Sequence, residues 1–231
     1  MCDDRLWQPT WQLLGEQFML DCQLVHLPIP TIGNMNDVVG EMANKIVADE
    51  AILVGFSLGG YIASAIALRI PDSIKHLVIV SNMPKNLPDS EIKQRQRTIA
   101  WIAKRGYSGI PNKRIEDLLH PNIKQISAEE FVNIKNVIVK MDRDLGVSVL
   151  LHQLEVSMSR PTLLSQLSKL SLPISFLIGD ADALVDIPAL AQEFDGANHI
   201  TIDKIKNTGH MLPLESSQAL ASALTKLLSG Q

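Results

Sequence analysis

A serine set between two glycines is the most informative chemical feature of the sequence. Ser57 stands at the centre of the pattern Gly-Phe-Ser-Leu-Gly, after the apolar run 51–56 and before the small-residue run 58–69. This order predicts a strand, a sharp turn and a helix, with Ser57 exposed at the turn as a nucleophile and held in a strained backbone conformation. We expect that side chains at Gly55 and Gly59 would clash across this turn.

A serine hydroxyl needs a base to become a nucleophile, and the base needs a third group that orients it. Beyond Ser57 the sequence supplies an acid and then a histidine, each just after a predicted strand. A G-x-x-D turn carries the carboxylate of Asp182 past its strand, and His210 follows the last strand, so these two are the predicted acid and base. The neighbouring acids Asp180 and Asp186 are expected to stabilise a turn and to cap a helix.

The backbone N–H of Leu58 is the remaining candidate group. It lies at the start of the helix predicted for 58–69, where it can stabilise negative charge developing on a substrate carbonyl oxygen. The other histidines fit a catalytic role less well. They lie in predicted strands (His26, His76 and His199) or in a helical region (His120 and His152).

Alternating apolar runs and helical patterns predict the fold class, an α/β protein with a mostly parallel sheet. The predicted strands are 23–29, 51–56, 75–80, 173–178 and 198–205. The predicted helices around them are 35–48, 58–69, 188–194 and 215–228, the first of them capped by Asn34 or Asn36. The strand 51–56 is apolar throughout, as expected when helices cover both faces of a sheet.

Residues 84–170 interrupt this alternation. They contain no convincing strand and have the spacing of several amphipathic helices, with breaks expected at 106–111, 120–121, 146 and 160–161. A helical insertion of this length between strands predicts a lid over the site. The predicted organisation is therefore a core of residues 1–83 and 171–231 and a cap of residues 84–170.

Composition excludes several other classes of protein. The 231 residues are 46% hydrophobic and 20% charged, which fits one folded domain and excludes a disordered chain. The net charge of -4 argues against a nucleic-acid-binding surface, and no apolar run reaches the roughly 18 residues of a membrane span. The start of the chain is not a secretory signal. Cys2 and Cys22 cannot form a disulfide framework or a metal site, which predicts reduced thiols in a cytoplasmic protein.

With these motifs in this order, the chain resembles the α/β-hydrolase superfamily over nearly its whole length. The matching residues are the pattern around Ser57, 69–72, 77–80, 179–182, 209–210 and 214–215. It is most similar to small carboxylesterases with a helical cap, the group that includes pimeloyl-ester carboxylesterases and enol-lactonases. The resemblance implies hydrolysis of a small ester, thioester or lactone without a metal or organic cofactor. A lyase or acyltransferase with the same triad, a non-catalytic binding protein and the oligomeric state stay open.

The resemblance also predicts a departure at the N-terminus. Relatives begin with two or three strands, the last of which ends in a turn whose next residue supplies a second oxyanion N–H. The segment after that turn matches residues 2–7 here, so we expect a truncated N-terminus, no second donor, and a gap in the sheet between 23–29 and 51–56. Loss of one donor costs about 2.7–4 kcal/mol in a protease. Either Met1 is an internal residue of a longer protein, or the chain is truncated and impaired.

Overall fold

A parallel sheet organises the described part of the protein. The computed structural model describes residues 1–17, 23–48 and 50–229. Within them, β1 (Ala51–Phe56), β2 (Ile74–Val80), β3 (Ile174–Gly179) and β4 (Ile200–Ile205) form one sheet in the order β1-β2-β3-β4. Every strand pair is parallel, and the register aligns Phe56 with Val80, Val80 with Leu177, and Leu177 with Asp203. The carboxyl ends of the strands therefore lie along one edge of the sheet.

Helices cover both faces of the sheet and fill the long connection between β2 and β3. In chain order they are α1 (Gln8–Gln17), α2 (Met35–Ala43), α3 (Leu58–Arg69), α4 (Asp89–Arg105), α5 (Asn112–Leu118), α6 (Ile123–Ile126), α7 (Ala128–Met158), α8 (Leu164–Leu167), α9 (Ile187–Glu193), α10 (Leu212–Glu215) and α11 (Ser217–Ser229). Across the described chain, none of these helices combines the length and the apolarity that a membrane span requires.

The two central strands form the core of the sheet. Alternate side chains of a strand point to opposite faces, and β2 and β3 are buried on both. On one face Leu77, Ile79, Phe176 and Ile178 pack with residues of α2 and α3. On the other face Val78, Val80 and Leu177 pack with residues of α11 and of the helices that follow β2. Two apolar layers thus cover the two faces of the sheet beneath its carboxyl edge.

The prediction of a strand at residues 23–29 is wrong, because these residues adopt no strand. A strand needs a neighbour to pair its backbone groups, and the described residues place none on the far side of β1. Leu27 and Ile29 still pack against the core, whereas Val25 is 61% exposed. For the same reason β1, expected to be covered on both faces, is only half-buried along its first four residues.

The other predicted elements are present. β1 and α3 have the predicted ends, and each of the others is shifted at one end or both. Asn34 caps α2 through a reciprocal pair of hydrogen bonds with Asp37, but the helix ends at Ala43 rather than at residue 48. Between residues 84 and 170 the described chain contains helices and no strand, with breaks at the predicted positions. Gly146, with a φ of 76°, interrupts α7. Cys2 is a free thiol, and Cys22 lies outside the described residues.

Candidate active site

Ser57 lies in the turn between β1 and α3, at the carboxyl edge of the sheet. Its φ of 50° is rare for a residue other than glycine, and its N–H donates to the carbonyl of Val80 on β2 at 2.9 Å. A Cβ on Gly55 would lie 2.3 Å from the carbonyl oxygen of Gly59, so only glycine fits there. The prediction of a clash at Gly59 is wrong. Among the residues that the structure describes, none lies within 4 Å of a Cβ placed there, so the position faces open space.

Leu58 begins α3, and its backbone N–H is one of the helix-end donors that the helix itself cannot pair. The helix α3 is twelve residues long, and the positive end of its dipole lies at this point. The side chain of Ser57, which precedes the helix, makes no capping hydrogen bond. The start of α3 is therefore suited to an anionic oxygen next to the Ser57 hydroxyl.

His210 reaches Ser57 from the loop that follows β4. Its Nε2 lies 3.1 Å from Ser57 Oγ, which is hydrogen-bonding distance. The imidazole is only 6% exposed, and its ring centroid lies 5.3 Å from that of Phe56, the last residue of β1. Packing against Phe56 therefore restricts the orientation of the imidazole.

Asp182 holds the opposite side of the same imidazole. Its two carboxylate oxygens lie 3.0 and 3.1 Å from His210 Nδ1, and its side chain is fully buried. One of these oxygens also accepts from the backbone N–H of Leu184 at 2.9 Å, which fixes the carboxylate. A carboxylate in this position can accept from a protonated Nδ1, and that tautomer leaves Nε2 as the acceptor that faces the Ser57 hydroxyl.

The two alternative acids have local backbone contacts instead. Asp180 is exposed and accepts from the N–H of Thr208 at 3.2 Å, which ties the turn after β3 to the loop after β4. Asp186 accepts from the N–H of Ala189 at 3.0 Å and caps α9. These contacts agree with the turn and capping roles expected for both residues, and Asp182 is the acid that contacts His210.

Two other histidines make contacts away from Ser57. His76 Nε2 lies 2.9 Å from Ser175 Oγ across the sheet, and burial lowers the pKa of His76. His152 Nε2 lies 2.9 Å from the carbonyl oxygen of Gly33. Each of these two has a structural partner, whereas His210 lies within hydrogen-bonding distance of the Ser57 hydroxyl.

Sequence reasoning assigned no role to Glu215, the last residue of α10. Its Oε1 accepts from the N–H of His120 at 2.6 Å and from that of Gly209 at 3.2 Å. Burial, with a further contribution from the charge of Asp182, raises the pKa of Glu215 to about 7. The spacing of an acid five residues after the histidine is visible in the sequence, but the contact with residue 120 is not.

One cavity of the structure lies away from Ser57. A cavity of about 580 Å³ lies between α2, α3 and the segment 159–166, and Tyr61 and Arg69 are among its lining residues. Ser57, Asp182 and His210 do not line it, so it is separate from the candidate active site. Within the described ranges, no three His, Cys, Asp or Glu side chains cluster closely enough to hold a metal ion.

Comparison with known proteins places this chain among the hydrolases. The family model described as "Serine aminopeptidase, S33" matches residues 31–217. Pimeloyl-acyl-carrier protein methyl ester esterase of Pseudoalteromonas atlantica is 23% identical over 191 residues, which cover 77% of this chain and 72% of that protein.

Solved structures show the same architecture. A thermophilic esterase from Thermogutta terrifontis superposes with a TM-score of 0.77 at 21% identity, over 99% of this chain and 86% of that one. The enol-lactonase from Burkholderia xenovorans LB400 gives a TM-score of 0.74 at 15% identity, over 98% and 87% of the two chains. At these identities the likeness establishes the α/β-hydrolase fold that the sequence predicts.

Proposed function

Since this chain belongs to the serine aminopeptidase, S33, family and has the α/β-hydrolase fold, we propose that it hydrolyses a small carboxylic ester, thioester or lactone. The observation that carries the proposal is the continuous contact from Ser57 through His210 to Asp182. The distances on the two sides of the imidazole, 3.1 Å to Ser57 Oγ and 3.0 Å to Asp182, are those of a serine nucleophile with its base and its orienting acid.

The proposed reaction transfers an acyl group to Ser57 and then to water. Ser57 Oγ attacks the substrate carbonyl carbon while His210 Nε2 takes the hydroxyl proton, and that proton then goes to the departing alcohol, thiol or ring oxygen. In the second half, His210 removes a proton from water, and the oxygen of that water attacks the acyl carbon. The bond from the acyl carbon to Ser57 Oγ then breaks, and His210 returns the proton to Ser57 Oγ. Asp182 keeps Nδ1 protonated and stabilises the imidazolium in both halves.

The start of α3 is the proposed group that stabilises the negative charge developing on the substrate oxygen. The Leu58 N–H is the proposed oxyanion donor, and the dipole of α3 acts in the same direction. Every step uses groups of this chain, so the mechanism calls for no metal or organic cofactor. Residues 84–170 are the proposed lid, which is supported by the contacts of Leu118 and His120 with the loop that carries His210.

The names of the relatives favour an ester over other substrates. The curated relative is a methyl ester esterase, and two structural neighbours are an esterase and an enol-lactonase. We propose a small-molecule substrate of that kind, acted on in the cytoplasm, which is consistent with the free thiol of Cys2. The net charge of -4 does not favour nucleic acid as a partner.

A fluorophosphonate probe tests the nucleophile directly, because it reacts only with an activated serine. We expect the folded chain to be labelled and Ser57→Ala to lose the label. Ser81→Ala is the matched control, since Ser81 is buried at the end of the next strand with a φ of 52° but does not contact His210. A folded wild-type chain that stays unlabelled, or a label that survives in Ser57→Ala, contradicts the proposal.

The bond that is cleaved needs a second experiment, because the family description names an aminopeptidase. We expect turnover of p-nitrophenyl esters of short acids and none of aminoacyl p-nitroanilides. Preference for the anilides would overturn the ester assignment while leaving Ser57 as nucleophile. Product analysis with and without a competing alcohol separates hydrolysis from acyl transfer, since an acyltransferase would form the new ester in place of the free acid.

A further inference from the structure

The loop that carries His210 is fastened to a segment almost a hundred residues away. The carbonyl oxygen of Leu118 accepts from the N–H of His210 at 2.8 Å and from that of Met211 at 3.3 Å. Glu215 Oε1 completes the connection, because it accepts from both the Gly209 N–H and the His120 N–H. The two segments are therefore joined by backbone hydrogen bonds to Leu118 and by one bridging side chain.

The backbones approach each other so closely that a side chain cannot fit between them. A Cβ on Gly209 would lie 2.5 Å from the backbone nitrogen of His120 and 2.5 Å from the carbonyl carbon of Leu119. Real Cβ atoms do not make contacts this short, so the loop is in direct backbone contact with the turn 118–120. A displacement of that turn would displace His210 with it.

Glu215 is the side chain that closes this contact. It lies five residues after His210 at the end of α10, and its Oε1 bridges the two segments. Its second oxygen, Oε2, is buried and has no hydrogen-bond partner within the described residues. Among the described residues the hydrogen bonds of the carboxyl group are therefore those of the bridge, made through Oε1. Without it, the two N–H groups would lose their acceptor in a buried place.

We propose that Glu215 is a positioning residue for His210, which it holds within reach of Ser57 by bridging Gly209 to His120. This inference rests on the proposed function, since it assigns His210 the role of base. It makes the turn 118–120 a fixed support for the base, so movement of the proposed lid must occur elsewhere in residues 84–170. Glu215 acts through His210 and does not contact the Ser57 hydroxyl.

The test compares Glu215→Ala, Glu215→Gln and Glu215→Asp. The amide of glutamine keeps an acceptor oxygen in the same place, so we expect Glu215→Gln to retain the wild-type rate of fluorophosphonate labelling. We expect Glu215→Ala to label about 10²-fold more slowly at saturating probe, with probe affinity unchanged, because the base is displaced. Aspartate is too short to bridge both N–H groups, so we expect the labelling rate of Glu215→Asp to lie between those of the glutamine and alanine variants. If Glu215→Ala does not fold, Glu215→Asp is tested in its place.

A second readout does not depend on activity. The His210 Nδ1 proton, held by Asp182, gives a downfield proton resonance that should persist in Glu215→Gln and broaden or vanish in Glu215→Ala. Asn34→Ala is the control for lost stability alone, since it removes a helix cap on α2 and should leave the resonance intact.

The outcomes separate the inference from the proposed function. A wild-type chain that is not labelled contradicts the proposed function, and the resonance still decides the role of Glu215. A folded Glu215→Ala or Glu215→Asp with the wild-type resonance and labelling rate overturns the inference. So does a Glu215→Gln variant that loses as much as Glu215→Ala, because charge rather than the bridge would then be required.

Discussion

Ser57 and His210 are separated by 153 positions in the sequence, and their side chains meet at 3.1 Å. Ser57 follows β1 and His210 follows β4, which are the two outer strands of the described sheet. The loop after β4 must therefore return across the carboxyl edge toward β1. It is held on the way by Asp180, which accepts from Thr208, and by Leu118, which accepts from His210.

Replacement of Asp182 by asparagine tests the orienting acid. Asp182→Asn removes the charge that stabilises the imidazolium and allows the wrong tautomer of His210, so we expect kcat for a p-nitrophenyl ester to fall about 10³- to 10⁴-fold with little change in KM. Asp186→Asn is the matched control, because asparagine caps a helix as well as aspartate does. Equal losses in the two variants would mean that Asp182 has only a structural role.

Replacement by alanine should change the unfolding free energy differently at Gly55 and at Gly59, the two glycines on either side of the Ser57 turn. Gly55→Ala forces a Cβ to within 2.3 Å of a backbone oxygen, so we expect a loss of about 3 kcal/mol or more in unfolding free energy. Gly59→Ala meets open space, and alanine favours helix, so its unfolding free energy should be unchanged or higher by up to about 1 kcal/mol. Urea unfolding of both variants measures this difference, and a Gly59→Ala as unstable as Gly55→Ala would refute it.

The elements around Ser57 can be predicted from local patterns, because the information that specifies them is local in the sequence. The run 51–56, the glycine at the turn and the small-residue helix 58–69 are adjacent in sequence, and the structure places β1 and α3 at those residues. The acid turn after β3 was predictable for the same reason. Competing aspartates could be separated as well, since Asp186 has the position of a helix cap.

Features that depend on distant segments could not be predicted in this way. Residues 23–29 have the apolar content of a strand, but a strand exists only where a neighbour pairs with it. The role of Glu215 depends on the N–H of His120, which lies 95 positions earlier and arrives through the helical connection. The open space at Gly59 likewise follows from the three-dimensional course of the turn, which the G-x-S-x-G pattern does not specify.

The raised pKa of Glu215 predicts a pH-dependent stability. Burial, and secondarily the charge of Asp182, holds this pKa at about 7, compared with 4.5 for the ordinary group. The folded state then retains a proton that the unfolded state has lost, so this stabilisation is complete below pH 4.5 and disappears as the pH rises through 7. The loss is up to about 3 kcal/mol, at 1.36 kcal/mol for each pKa unit.

Comparison with Glu215→Gln isolates this titration from that of other groups. Urea unfolding at pH 5 and pH 8 should show a smaller loss in the variant than in the wild type, because glutamine does not ionise. The groups that face Glu215 are the N–H groups of Gly209, Met211 and His120 and the carboxylate of Asp182, and they are the same in both proteins. Identical pH profiles would show that Glu215 titrates normally.

The helical connection should depend on one buried acid, Asp142 of α7. Asp142 is 4% exposed and accepts from the Tyr107 hydroxyl at 2.6 Å and from the Ile110 N–H at 2.9 Å. Burial, together with this hydrogen bond, raises the pKa of Tyr107. Asp142→Ala leaves both donors without an acceptor, so we expect the unfolding free energy to fall by about 2–4 kcal/mol. Tyr107→Phe removes one donor and should lower the unfolding free energy by about 1 kcal/mol.

Amide hydrogen exchange should locate the effect of Asp142→Ala in the loop 106–111 and in α7. Uniform loss of protection across the sheet would contradict this assignment.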